Sequence, residues 1–196
     1  MGGRRVAIVS DAAGYVGPNL ARRLAAADHD LVVGDPMDGH TQVGPVALES
    51  GLQECLEFID DARSHGAEIR TGGERVGEQG WFLAPTVVAG VTRDMRMYLE
   101  EVFGPVAGVF KVASLDEGIE VANATTFGLG SNAWTSDPAE QARCAAELEA
   151  GAVFINGMVT SYPELPFGGI KASGYGRELA ALGIRAFCNA KTVWVG

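Results

Sequence analysis

Short apolar runs rich in β-branched residues alternate along this chain with stretches in which apolar positions recur every three or four residues, the two periods of buried strands and amphipathic helices. Residues 5–10 read as a buried strand, the stretch from Pro18 to about Asp28 as a helix with Leu20, Ala21 and Leu24 on one side, and Leu31-Val32-Val33 as a second strand. That order predicts a βαβ unit. Between residues 46 and 63, Val46, Leu52, Cys55, Leu56, Ile59 and Ala62 fall at helical spacing, and Gly66 is placed to end the helix. Short strands are expected over 67–71 and 81–88, around the turn at Gly72-Gly73, and another over 106–112. Ser114-Leu115-Asp116-Glu117 is a capping box that opens a helix to about Asn123, and residues 128–135 return as a strand. Asp137 caps the next helix, with Pro138 at its first position and Glu140 at its third. This helix is expected to run through Ala150, where Gly151 closes it before a strand over 152–156. Residues 190–195 alternate as a last strand would. Strands alternating with helices predict an α/β fold on a parallel sheet.

Composition narrows the class. With 196 residues, 47% of them hydrophobic, the chain can bury a core. The net charge of −10, fifteen Lys and Arg scattered among twenty-five acids, leaves no basic face for nucleic acid. No apolar run reaches the roughly 18 residues that a membrane span needs. The N-terminal stretch after Arg4-Arg5 lacks a signal peptide's length and cleavage site, so a cytoplasmic protein with no membrane partner is expected. Cys55, Cys144 and Cys188 are odd in number and widely spaced, which predicts neither a disulfide framework nor a metal site.

Two stretches carry chemistry. In Glu100-Glu101-Val102-Phe103-Gly104-Pro105-Val106, a carboxylate can accept hydrogen bonds from both hydroxyls of a ribose, and an aromatic two residues on can pack against the same ligand. Glu101 and Phe103 also fit a plainer reading, a solvated acid before a buried strand and a core aromatic. The second stretch is Pro166-Phe167-Gly168-Gly169-Ile170-Lys171-Ala172-Ser173-Gly174-Tyr175-Gly176-Arg177-Glu178. Together they resemble signatures of the aldehyde dehydrogenase superfamily. Residues 36–196 resemble the C-terminal third of such an enzyme, and Phe154-Ile155-Asn156-Gly157-Met158-Val159 with Leu165-Pro166-Phe167-Gly168-Gly169 resembles the succinate-semialdehyde dehydrogenase branch. The resemblance implies that Glu101 and Phe103 hold the nicotinamide-side ribose of NAD or NADP, that Phe167 lines the tunnel for a small aldehyde, and that Lys171, Ser173, Arg177 and Glu178 fix a loop by polar contacts. Phe167 equally fits an ordinary core aromatic beside a Gly-Gly bend. The resemblance also implies that the terminal strand pairs across a subunit boundary, in a homo-oligomer or with full-length dehydrogenase subunits.

The first 35 residues read differently. Asp11-Ala12-Ala13-Gly14-Tyr15-Val16-Gly17 after the first strand resembles the glycine-rich turn of short-chain dehydrogenases, whose Rossmann fold sets a pyrophosphate at a helix N-terminus. That resemblance implies dinucleotide contacts at Gly14 and Gly17 and a ribose contact at Asp35. Asp11 stands where the pattern has its first glycine and brings a negative charge toward the phosphates, so cofactor binding is expected to be weak. The further βαβ units of a dinucleotide fold do not follow; the Gly/Pro-rich stretch 34–45 resembles instead the loop after the catalytic cysteine of aldehyde dehydrogenases. The expected organisation is a Rossmann-like fragment over 1–35 joined to an aldehyde dehydrogenase catalytic-domain fragment over 36–196. The short first unit is expected either to add its strands to the edge of the larger sheet or to be held loosely.

Aldehyde oxidation needs a thiolate nucleophile, a base for the deacylating water, an oxyanion donor and a dinucleotide that takes hydride. By the resemblance, the nucleophile and the base belong to a segment before residue 34 that this sequence lacks. Gln53-Glu54-Cys55 echoes the nucleophile motif, but Cys55 falls on an apolar helical stripe among acids at 54, 57, 60 and 61, which raise a thiol's pKa. No catalytic residue is assigned. His29, His40 and His65 fall in turns or loops, and no Tyr-x-x-x-Lys for short-chain dehydrogenase chemistry occurs. Open readings are a family member unable to turn over alone, a working NAD-dependent oxidoreductase with a replaced cofactor unit, an interaction module for full-length subunits, and a piece without function.

Overall fold

The computed structural model describes residues 31–196 and the backbone of a strand over residues 7–11. Residue contacts divide the chain into two compact units, Ala13–Glu117 and a second formed by Met1–Ala12 with Gly118–Gly196.

The first unit is a helix on a three-stranded sheet. Helix α1 (Glu49–Ser64) forms where the apolar spacing predicts it and buries Leu52, Cys55, Phe58, Ile59 and Ala62. It ends in a Schellman motif. Gly66 takes the left-handed conformation (φ 90°) that favours glycine, while Gly66 N donates to Arg63 O (3.1 Å) and Ala67 N to Ala62 O (2.9 Å). Strands β2 (Glu68–Thr71), β3 (Thr86–Ala89) and β4 (Val106–Val109) lie in that order, β2 antiparallel to β3 and β3 parallel to β4. The expected strand over 81–88 begins only at Thr86. Before it, Pro85 offers no backbone donor, and Trp81 O is spent on Val46 N (2.8 Å). Phe58, Ala62, Ala67, Val88, Val91, Met95 and Met97 form one buried cluster, and Leu52, Cys55, Ile59 and Leu83 another.

In the second unit, β6 (Gly130–Trp134) and β7 (Ala152–Ile155) pair in parallel, and β1 (Ala7–Asp11) adds antiparallel to the free edge of β6. A two-stranded ladder joins β5 (Phe127–Gly128) to β8 (Ile170–Lys171), again antiparallel. Helix α2 (Leu115–Asn123), whose first turn belongs to the first unit, starts at the capping box: Glu117 N donates to Ser114 Oγ (3.2 Å), and the Glu117 carboxylate takes Ala113 N (2.6 Å). Helix α3 (Pro138–Glu147) opens at Asp137, whose Oδ1 accepts from Ala139 N (2.9 Å). A last helix, α4, spans Ala180–Ala186.

Four expectations are corrected. The sheets are mixed, since antiparallel strands add to the parallel pairs β3–β4 and β6–β7. Among the described residues, Leu31-Val32-Val33 is not paired with β1, a pairing that the expected Rossmann-like βαβ unit requires. Leu31-Val32-Val33 bonds back onto Gln42 and Val43 (Gln42 N to Val32 O 2.8 Å, Gly34 N to Val43 O 3.1 Å), because Asp35 and Asp38 fold the intervening loop by accepting from the backbone of Met37 and His40 (both 2.9 Å). The helix expected from Pro18 lies outside the described residues. Helix α3 stops at Glu147 rather than Ala150, because the Asn123 amide clamps its end, donating to Glu147 O and accepting from Glu149 N (both 2.8 Å). Residues 189–196 form no strand: among the described residues they find no ladder partner, and Val193, Trp194 and Val195 stand exposed.

Candidate functional site

The Glu101–Pro105 stretch is a tight loop leading into β4. A 3-10 turn over Arg96–Tyr98 delivers the chain to it, with Leu99 N and Glu100 N both bonded to Arg96 O (3.2 and 3.0 Å). Gly104 N donates to Val102 O (2.9 Å) and Val106 N to Gly104 O (2.7 Å), two successive three-residue turns that place Phe103 and Pro105 at their centres. Glu101 is half-buried, whereas the Phe103 ring is 68% exposed. The core reading of Phe103 therefore fails: the loop displays the ring instead of burying it.

Helix α1 backs this loop. Cys55 Sγ donates to Phe103 O (3.6 Å), and the thiol lies so close to the Gly104 Cα that any Cβ there would overlap the sulfur. Asp61 Oδ2 accepts from Arg96 N (2.9 Å) at the start of the 3-10 turn. The Arg96 guanidinium stacks 4.2 Å from the Phe58 ring centroid and donates to both Glu100 oxygens (3.2 and 3.1 Å). A loop fixed from behind, with a carboxylate and an aromatic face two residues apart, is chemically able to hold a ribose. The residues present thus fit the sugar end of a nicotinamide dinucleotide.

The other expected cofactor residues are not gathered there. Asp35 is exposed in the turn that it caps and lines an open hollow with Pro36, Val76, Glu78 and Phe82, a hollow to which neither Glu101 nor Phe103 contributes. Gly14 and Gly17 lie outside the described residues.

Phe167 belongs to the second unit. It is half-buried, and its backbone pairs with Glu178 in both directions (2.9 and 2.8 Å). The loop around it is fixed as expected by polar side chains. Lys171 Nζ donates to Asn123 O (2.7 Å) and Thr125 O (3.3 Å) and pairs with Glu149 (2.7 Å). Ser173 Oγ accepts from Gly128 N (3.0 Å), and Arg177 Nη1 donates to Gly169 O (2.8 Å). Glu178 contributes through its backbone. Gly151 lets Gly168 O approach so closely that no side chain fits at 151.

Neither buried cysteine is prepared for attack. Burial first, then Glu54, pushes the Cys55 thiol up, and burial followed by Glu140 does the same to Cys144. Cys188 is exposed, with its Sγ on Ile184 O (3.4 Å). Among the described residues no His, Cys, Asp and Glu group could hold a metal ion, and no helix is long and apolar enough to cross a membrane. What the sequence did not expose is the support under the handle, formed by Cys55, Phe58, Asp61 and Arg96. The three-residue spacing of Cys55, Phe58 and Asp61 along α1 was the available signal.

Comparison with known proteins adds an independent finding. The family model described as "Aldehyde dehydrogenase family" matches residues 3–193. The likeness is therefore not confined to residues 36–196, and the N-terminal stretch set apart above lies within the match. Over 166 residues the chain is 64% identical to the succinate-semialdehyde dehydrogenase (NADP+) of Mycobacterium avium (strain 104), covering 85% of this chain and 35% of that protein. It is 61% identical over 165 residues to a counterpart from Mycobacterium tuberculosis (strain ATCC 25618 / H37Rv), covering 84% and 36%. Among solved structures, a succinic semialdehyde dehydrogenase from Streptococcus pyogenes in complex with NADP+ superposes with a TM-score of 0.79 at 44% identity, over 84% of this chain and 36% of that one. An NAD+ complex of an aldehyde dehydrogenase from Bacillus cereus superposes at 0.82 with 35% identity, over 91% and 36%. The chain thus spans about a third of the length of the curated relatives it matches.

Proposed function

The chain belongs to the aldehyde dehydrogenase family, and from that premise we propose that its Glu101–Pro105 loop is the ribose hold of an NAD(P)+ site in a protein of the succinate-semialdehyde dehydrogenase type. The observation that carries this reading is the exposed Phe103 ring, two residues after the half-buried Glu101, on a loop anchored from behind. The Glu101 carboxylate would accept from a sugar hydroxyl, and the Phe103 face would pack against the same ligand. When bound, the dinucleotide supplies the hydride acceptor. Phe167 forms one wall of the place where a small aldehyde binds.

The 196 residues are not proposed to oxidise aldehydes by themselves. Attack on the carbonyl needs a thiolate, and burial holds the Cys55 and Cys144 thiols protonated. General acid–base help contributes only about 10²- to 10⁴-fold and does not substitute for the nucleophile. Cofactor binding is weak, because only the ribose hold is assigned on the described residues. The test is NADPH or NADH formation from succinate semialdehyde by the purified chain and its Cys55→Ser variant, beside calorimetric titration with NADP+ and NAD+. No turnover and no binding tighter than about micromolar are expected, the latter corresponding to roughly 8 kcal/mol. Turnover that vanishes in the variant would overturn the reading and make Cys55 the nucleophile.

A second reading has its own observation. Val193, Trp194 and Val195 stand exposed in a segment with strand-like alternation, which suits pairing with a full-length dehydrogenase subunit in the cytoplasm. Co-purification of the tagged chain with a full-length succinate-semialdehyde dehydrogenase tests it, and loss of that association on Trp194→Ser is expected.

A further inference from the structure

Three side chains of α1, each three residues after the last, meet the loop from Met95 to Gly104 at its entry, its middle and its exit. Residues spaced three or four apart share one helix face, so a single rigid surface reaches the whole loop. At the entry, Asp61 Oδ2 takes the Arg96 amide (2.9 Å), a donor that the short 3-10 turn leaves without a partner of its own. In the middle, the Phe58 ring, 1% exposed, carries the Arg96 guanidinium, whose fork holds both Glu100 oxygens next to Glu101. At the exit, Cys55, also 1% exposed, donates its thiol to Phe103 O and packs on Gly104.

We propose that Cys55, Phe58 and Asp61 are positioning residues that set the geometry of the Glu101–Phe103 hold. None of them is a catalytic residue; each acts through the backbone or the arginine that it touches. The proposal rests on the ribose reading only for what the loop is held for, while the holding itself is a property of the loop.

The experiment is amide hydrogen exchange, followed by NMR on the 15N-labelled chain, with nicotinamide mononucleotide as the probe ligand. The variants Cys55→Ala and Asp61→Ala remove a donor and an acceptor, and Cys55→Ser and Asp61→Asn restore them. Losing one net hydrogen bond of about 1 kcal/mol predicts roughly five- to tenfold faster exchange at Leu99 and Gly104 in the alanine variants. The β3 amides should be unchanged, and Ser and Asn should return the loop toward wild type. Arg96→Gln, on a side chain 37% exposed, releases the middle tie without opening the core and should also speed Leu99 and Gly104. It keeps the test decisive if an alanine variant fails to fold. Shifts induced by the mononucleotide at Phe103 should weaken in step with faster exchange. Unchanged loop exchange, an equal rise in loop and β3, or undiminished ligand shifts would each overturn the proposal. If wild type shows no shift at any concentration of the probe, the ribose reading fails, while the exchange data still decide whether α1 positions the loop.

Discussion

Cys55 and Gly104 are in such close contact that the glycine has no room for a methyl group: the sulfur occupies the space that a Cβ would need. Gly104→Ala should therefore force the loop or α1 to shift, at a cost of about 1–3 kcal/mol for an overpacked site. Paired with Cys55→Ala, much of that cost should be returned. Urea melts of the two single variants and the double variant give the coupling directly, and additivity would show that the contact is slack.

The N-terminus of α3 should be equally local in its response. Asp137→Ala removes the acceptor for Ala139 N and is expected to cost about 0.5–2 kcal/mol, with Asp137→Ser retaining most of the stability. Thermal unfolding of the three proteins decides it.

Lys171 has a structural task that its charge alone does not explain. Lys171→Met keeps the stem but leaves Asn123 O and Thr125 O without this donor, and about 1–3 kcal/mol should be lost. Glu149→Gln, which touches only the exposed half of the ion pair, should cost below about 1 kcal/mol. Equal losses in chemical denaturation would point to the ion pair instead.

The thiols predict a pH dependence. Cys55 and Cys144 are held protonated above the ordinary thiol value of 9.0, so the unfolded chain releases these protons first as pH rises. Their contribution is complete below about pH 9 and is lost as pH climbs from there through the raised native values. Stability should fall as pH rises above about 9, and less steeply in Cys55→Val. In the native state a thiol reagent should label Cys188 quickly and the two buried cysteines only on unfolding.

Helices were legible in the sequence because their signals are local. The stripe at Leu52, Cys55, Ile59 and Ala62, the cap at Asp137 and the glycine at 66 each act within a few residues, and each stands where it was read. Sheet partners were not legible. Whether residues 7–11 run beside residues 31–33 or against β6 depends on strands more than a hundred residues away, and no local period encodes that choice. The early end of α3 was hidden for the same reason, since the clamp comes from Asn123 on another helix. At the candidate site, Glu101 and Phe103 were readable as chemistry, but the display of the ring was not. The carbonyl of the exposed Phe103 is bonded by a thiol forty-eight residues earlier, a partner that no local pattern encodes.

That bonded carbonyl has a consequence for how Phe103 meets a ligand. With the peptide group anchored, the ring keeps only its two side-chain torsions, and stilling them costs about 0.5–1.5 kcal/mol, the range for one immobilised side chain. No loop folding has to be added to that cost. A free loop would surrender roughly 1–2 kcal/mol for every residue it ordered. If the proposed ribose hold is right, Phe103 would act as a fixed platform onto which a sugar settles, and selectivity at this spot would lie in the shape of the arriving molecule, because the anchored loop has few conformations left from which to choose.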